Sequence, residues 1–402
     1  MKTKWVFVVL GVALATGLLA ISIAGSSPKE GTGIDYEALA EKLVTQCASI
    51  HEGDLVGISG GVRDVKLLEN IAVHVRKSGA FPLVVLVSDR MIRRMFVDVP
   101  AKYDSQAPEF DLKLANMTTA WIGVDFRETL SLLADIPPER LAAQTKARQP
   151  IEDLMLKRNV RQVHLGEGTG LYPTADRAKL FGVSQEELSS IFWGGVNVDY
   201  SKLQTTGEAV SAALSAGKEV HVTNPNGTDL KVHIEGRSVF VSDGVISADD
   251  MQRGGAACQV WLPAGEVFVT PVPGTAEGEV VVDRQFFEGK EIQGLTLTFK
   301  AGELTSMTAK SGLEPLKARY DASGPDKELF AFVDIGINPS VRLVPGSRMV
   351  AWMPAGMITV GTGNNTWAGG ENNTNFGLSN FLPGSTLKVD GKVLVENGIL
   401  KL

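Results

Sequence analysis

The stretch from Leu55 to Val87 constrains this chain most. It runs through an apolar strand at 55–59, the pair Gly60-Gly61, a helical period over 64–78 and a second apolar strand at 82–87. Strand, glycine turn, helix and strand in that order form a crossover unit, which pairs its strands in parallel with a right-handed connection. The glycine spacing matches neither a dinucleotide fingerprint nor a P-loop, so Gly60 and Gly61 read as a permissive turn at a strand end. Further buried strands are expected at 119–124 and 160–165, and 36–45 has helical spacing with Leu39, Leu43 and Val44 on one side. Residues 34–200 are therefore expected to form a parallel-sheet α/β domain. Within it His164 reads as a satisfied sheet histidine, while His51 and His74 lack partners at metal-ligand spacing.

The pattern then changes. One or two amphipathic helices are expected over 188–216, and from Glu219 the chain becomes mostly β. VHVTNPNGTDLKVHIEGR holds two alternating strands around Asn224-Pro225-Asn226-Gly227, a strong hairpin signal. His221 and His233 are candidates to face each other across it, without a third ligand at a fixed offset. Strands are expected at 280–282 and 295–299 and a helical segment at 326–332. The expected architecture is α/β (α+β overall), with a β-rich C-terminal domain over 201–402.

Composition removes several function classes. A formal charge of −7 and a pI near 5.4, with no Lys/Arg cluster, argue against a nucleic-acid surface. Cys47 and Cys258 stand far apart and cannot build a thiolate zinc site. At the start, Lys2 and Lys4 precede an unbroken run of apolar and small residues over 5–25. That run predicts export, with 1–28 acting as a signal peptide cleaved after Ala24 or as a retained membrane anchor. The remainder of the protein is then expected outside the cytoplasmic membrane, touching it only through this segment.

One carboxylate stands out. In Leu262–Gly274, LPAGEVFVTPVPG, Glu266 sits at the mouth of an apolar strand bracketed by Pro263, Pro271 and Pro273. A carboxylate held that way suits a metal ligand or general base, although an exposed Glu at a strand end reads the same. LPAGEVFVTP resembles the motif of the aminopeptidase T (AmpS, PepS) family of dinuclear metallo-aminopeptidases, and GDLVGISG, PTADRAKLFG and GTDLKVHIEGR are similar to further family segments. The resemblance spans roughly 36–402. It implies that the N-terminal domain is a scaffold without ligands, that Glu266 is a metal ligand and catalytic candidate, and that a homodimer forms. It also implies that Asp334, in PDKELFAFVDIGINP, matches the second carboxylate ligand. Zinc, cobalt or manganese would be the family's metals.

The same resemblance exposes losses. Thr359 stands where the family has a His, and Gly377 and Ser379 stand where it has a His and an Asp. A family tyrosine would fall near Thr366 or Trp367. All five histidines precede residue 234, so the C-terminal region offers carboxylates, hydroxyls and amides. Those oxygens hold zinc poorly and suit a harder cation such as Mg²⁺ or Ca²⁺ better. Asn364, Asn365, Asn372, Asn373 and Asn375 read first as turn formers.

Three function classes follow. An exported protein with an eroded metal site, binding a peptide or small molecule, ranks ahead of a metal-dependent aminopeptidase with an altered ligand set. A hydrolase using Ser379 or Thr359 as nucleophile ranks last, because no histidine lies near in sequence and no Gly-x-Ser-x-Gly elbow is present.

Overall fold

The computed structural model of the protein describes residues 34–402, so the expected export segment at 1–28 lies outside the described residues. The crossover unit forms as its sequence dictates. Leu55–Gly61 pairs in parallel with Phe81–Val87 on one side and Ala120–Val124 on the other, with helix Val65–Lys77 making the connection. That helix buries Leu67, Leu68, Ile71 and Val75, the apolar stripe of a 3.6-residue period. Arg161–Leu165 extends the sheet, again in parallel. The expected helix at 36–45 is an α-helix, Tyr36–Glu41, capped by the Asp35 side chain and continued by a π-helical turn, Lys42–Cys47.

The fifth parallel strand comes from far along the chain. Gln259–Leu262 pairs with Arg161–Leu165, and after only Pro263-Ala264-Gly265 the chain starts strand Glu266–Val269 in a different sheet. This second sheet is antiparallel, in the order Gly377–Phe381, Ile358–Gly363, Phe330–Gly336, Glu266–Val269, Val239–Ser242. The LPAGE motif is thus the corner that joins the two sheets.

A third sheet of eight antiparallel strands contains the expected hairpin as Glu219–Thr223 and Asp229–His233. His221 stands opposite Lys231 and His233 opposite Glu219, so the two imidazoles are offset rather than face to face. His221 Nε2 meets Asp229 Oδ1 at 2.7 Å and His233 Nε2 meets Glu219 Oε2 at 3.6 Å, which occupies both rings with carboxylates.

The expected helix at 326–332 is absent. Asp326 has a positive φ of 64°, which breaks a helix after Pro325, and Phe330–Gly336 is a central strand buried along its whole length. The nearby helix is Glu314–Asp321 instead. Cys47 and Cys258 are both buried and free. Among the described residues no helix is long and apolar enough to cross a membrane.

Candidate functional site

The corner at LPAGE has strict steric demands. Gly265 has φ +120°, and a Cβ there would lie 2.7 Å from Asn338 Cβ and 2.9 Å from its backbone nitrogen. The buried Asn338 amide donates to Ala264 O at 2.5 Å and Gly195 O at 3.1 Å, which pins the loop that delivers Glu266. From there the pleat does the positioning. Ser242 stands opposite Glu266, Glu266 opposite Gly336, Asp334 opposite Thr359, Gly361 opposite Ser379 and Gly363 opposite Gly377. Residues opposite one another, and residues two apart on one strand, share a face. Glu266, Asp334, Thr359, Gly377 and Ser379 therefore lie on one face of one sheet, although up to 113 residues of sequence separate them (266 to 379).

That face forms the wall of a cavity of about 260 Å³. All five positions line it, together with Gly168, Thr362, Asn364, Leu378 and four aromatic rings, Trp261, Phe332, Trp352 and Trp367. Trp261 comes from the parallel sheet, five residues before the antiparallel strand begins at Glu266. The site therefore sits where the two sheets meet, at the carboxyl end of parallel strand Gln259–Leu262, a usual place for a ligand in a parallel sheet.

The carboxylates are deeply enclosed, with Glu266 5% and Asp334 3% exposed. Burial pushes the Glu266 carboxyl up to about 8, against a smaller pull from the Ser242 hydroxyl that bonds to it. Asp334 is held well above the usual carboxylate range, first by burial and then by the charge of Glu266 on the adjacent strand. Asp334 Oδ1, Thr359 Oγ1 and Thr362 Oγ1 are buried without a hydrogen-bond partner, as is Trp352 Nε1. Unsatisfied buried polar atoms are costly, and ordered water or a ligand in the cavity would satisfy those that reach it.

The donor set does not fit a pair of transition metals. None of the five histidines lines the cavity. Among the described residues no group of three or more His, Cys, Asp or Glu side chains is placed to hold a metal ion. Gly377 contributes no side chain, and a Cβ there would meet nothing within 4 Å. The nearest approach of an imidazole is indirect, since His164 stacks on Trp261 at 5.4 Å between ring centroids. His164 is only half satisfied, because Nδ1 meets Glu167 at 3.1 Å while Nε2 is buried without a partner. Two carboxylates flanked by hydroxyls suit a hard cation or an organic ammonium better. Ser379 and Thr359 have no imidazole beside them to act as a base.

The asparagine cluster is structural. Asn365 Nδ2 donates to Ala331 O, Asn372 Nδ2 to Phe330 O and Gly363 O, and Asn375 Nδ2 to Ala142 O. These bonds tie the loop carrying Trp367 to the central strands and the parallel-sheet half. Sequence reasoning missed the aromatic wall. Its signals were Trp261, placed just upstream of LPAGE, and Trp367, beside the position where the resemblance puts a family tyrosine.

A parallel sheet joined through a carboxylate-bearing corner to an antiparallel one, with the cavity at the join, is the frame that sets the site. The chain belongs to the thermophilic metalloprotease (M29) family, whose model matches residues 34–323, a stretch that includes Glu266 and ends before Asp334. This is the family of aminopeptidase T and PepS, a family of metallo-aminopeptidases. The chain is 25% identical to aminopeptidase PepS of Streptococcus thermophilus over 323 residues, covering 70% of this chain and 72% of that one. Its fold is similar to that of wild-type AmpT from Thermus thermophilus, with a TM-score of 0.70, 17% identity and coverage of 91% of this chain and 99% of that chain. It is also similar in fold to 2,5-dihydroxypyridine dioxygenase from Pseudomonas putida, with a TM-score of 0.57, 14% identity and coverage of 91% and 96%. One scaffold thus carries proteins named for different reactions, so the chemistry here rests on the cavity.

Proposed function

We propose that this protein is an exported member of the family whose cavity binds a peptide or small molecule without zinc-dependent hydrolysis. One observation carries the reading: the cavity is lined by Glu266 and Asp334 together with Thr359, Gly377 and Ser379, the positions that the family resemblance assigns to further ligands. A dinuclear hydrolytic site must neutralise two dications and orient a nucleophile between them, which takes several anionic or imidazole ligands with ordered support. Two carboxylates cannot do both. What they can do is balance a single positive charge in a largely buried site. Export rests on the cationic start and apolar run of 1–28, and deleting that segment should leave a folded protein in the cytoplasm.

The test is elemental analysis of purified protein, paired with aminoacyl reporter assays in added Zn²⁺, Co²⁺ or Mn²⁺. Substoichiometric metal and no release of reporter are expected. Metal-stimulated, chelator-sensitive release that Glu266→Ala abolishes would restore the alternative, a metal-dependent aminopeptidase with an altered ligand set.

A further inference from the structure

We infer that the occupant of this cavity is a small organic ammonium compound that also carries an acceptor oxygen. The inference rests on the binding reading above and names the ligand class for the same cavity. Its first support is an imbalance of charge. Glu266 and Asp334 line the cavity and no Lys, Arg or His does, so the wall presents two carboxyl groups with no cationic partner of its own. A cationic guest is the partner that lets carboxyls buried in this way ionise.

The second support is the aromatic wall. Trp261 and Trp367 meet edge to face at 5.3 Å, and Phe332 meets Trp367 edge to face at 5.1 Å, so three rings form one contiguous corner. Ring faces attract an ammonium through their quadrupole, most strongly in tryptophan and away from water. A bare metal ion would leave those surfaces idle.

The third support is the unsatisfied polar atoms. Asp334 and Thr359, 3% and 1% exposed, line the cavity. Asp334 Oδ1 and Thr359 Oγ1 lack a partner of good hydrogen-bond geometry, although the Thr359 hydroxyl is near enough to favour the Asp334 carboxylate. They match the N–H donors, or the polarised methyl groups, of an ammonium head. Trp352 Nε1 is the opposite case, a buried donor without an acceptor. A hydroxyl or carbonyl oxygen on the same guest satisfies it. At about 260 Å³ the cavity falls below the common drug-site range of roughly 300–1,000 Å³. It has room for a molecule of amino-acid size, and of a peptide it could enclose little more than the first residue.

The test titrates chelator-treated full-length protein with ethanolamine, with choline and with 3,3-dimethyl-1-butanol, the uncharged carbon counterpart of choline. Calorimetry and tryptophan fluorescence read the binding. At least one ammonium compound is expected to saturate the protein, with the alcohol weaker by about tenfold or more. Asp334→Asn and Trp367→Leu should each weaken the ammonium by a similar factor, with circular dichroism showing that both variants are folded. Ethanolamine ahead of choline assigns the selectivity to the Asp334 and Thr359 oxygens, and the reverse order assigns it to the rings. Equal binding of the alcohol, unchanged affinity in Asp334→Asn, or no binding of either ammonium compound would overturn the inference. A parallel arm uses Leu-Gly-Gly and its N-acetylated form. Peptide binding without amine binding would sink the small-molecule inference and leave the proposed function standing. Metal-dependent hydrolysis alongside amine binding would do the converse.

Discussion

Asp334 and Thr359 stand directly opposite one another on neighbouring antiparallel strands, near enough for the Thr359 hydroxyl to favour the Asp334 carboxylate. Yet neither Asp334 Oδ1 nor Thr359 Oγ1 has a partner of good hydrogen-bond geometry. Glu266 rises one strand further over on the same face. One face of the sheet thus brings two carboxyls and a hydroxyl to a cavity walled by aromatic rings. Function and stability are opposed at this point.

The first prediction follows from that opposition. Asp334→Asn and Glu266→Gln keep shape while removing carboxyls that burial prevents from ionising, so each should stabilise the chelator-treated protein at neutral pH by about 2 kcal/mol. Urea unfolding should show a higher midpoint with an unchanged slope. A lower midpoint in both variants would show that the carboxyls are not strained.

The second concerns the lost ligands. Gly377 has ordinary φ and open space beyond its Cα, so a larger side chain there meets no clash. The combined variant Thr359→His, Gly377→His, Ser379→Asp should bind zinc or cobalt stoichiometrically where the unmodified protein does not. Metal content after dialysis against trace metal reads this, and failure to gain metal in a folded variant would contradict the assignment of these positions.

A third prediction is a pH effect outside the cavity. Burial pushes the half-buried Asp243 up to about 6, although its carboxylate accepts from the Val245 N–H at 3.0 Å. A carboxyl raised on folding favours the folded state while protonated. Its contribution is present in full below its ordinary value of 3.8 and is lost as pH rises through about 6. The loss is at most about 3 kcal/mol. Melting temperatures from pH 4.5 to 8 should fall more for the unmodified protein than for Asp243→Asn, and parallel curves would rule the effect out.

The fourth tests the corner. Gly265→Ala forces a Cβ against Asn338 at a φ that side chains rarely adopt. It should cost about 3 kcal/mol in urea unfolding. Because the same residue sets the entry of Glu266, ligand affinity should fall with it. A neutral outcome would show that the loop can shift, and that the geometry of the corner is not essential.

Much of the fold was legible before any coordinates. The crossover unit at 55–87, the strands near 120 and 161 and the Asn-Pro-Asn-Gly hairpin all follow from local periodicity and turn chemistry, which act over a few residues. The same local rules misread 326–332. Its charged start, PDKEL, and apolar end, FAFV, suit a helix, yet pairing with strands on both sides made Phe330–Gly336 a buried strand. Tertiary pairing outweighs weak local propensity.

By itself, the sequence determined that Glu266 would be delivered at a strand start by a glycine-containing corner, because Pro263, Gly265 and the apolar run act on their own backbone. It also determined that no histidine would follow residue 233 to complete a metal site. Only the tertiary structure decided that Asp334, Thr359 and Ser379 share a face with Glu266, that Trp261 crosses from the parallel sheet to wall the same cavity, and that the expected His221–His233 pairing is offset. The reason is physical. Which face a strand turns inward depends on the register of its partners, and which ring meets which carboxylate depends on packing between sheets. Neither quantity is written in the spacing of residues along one strand.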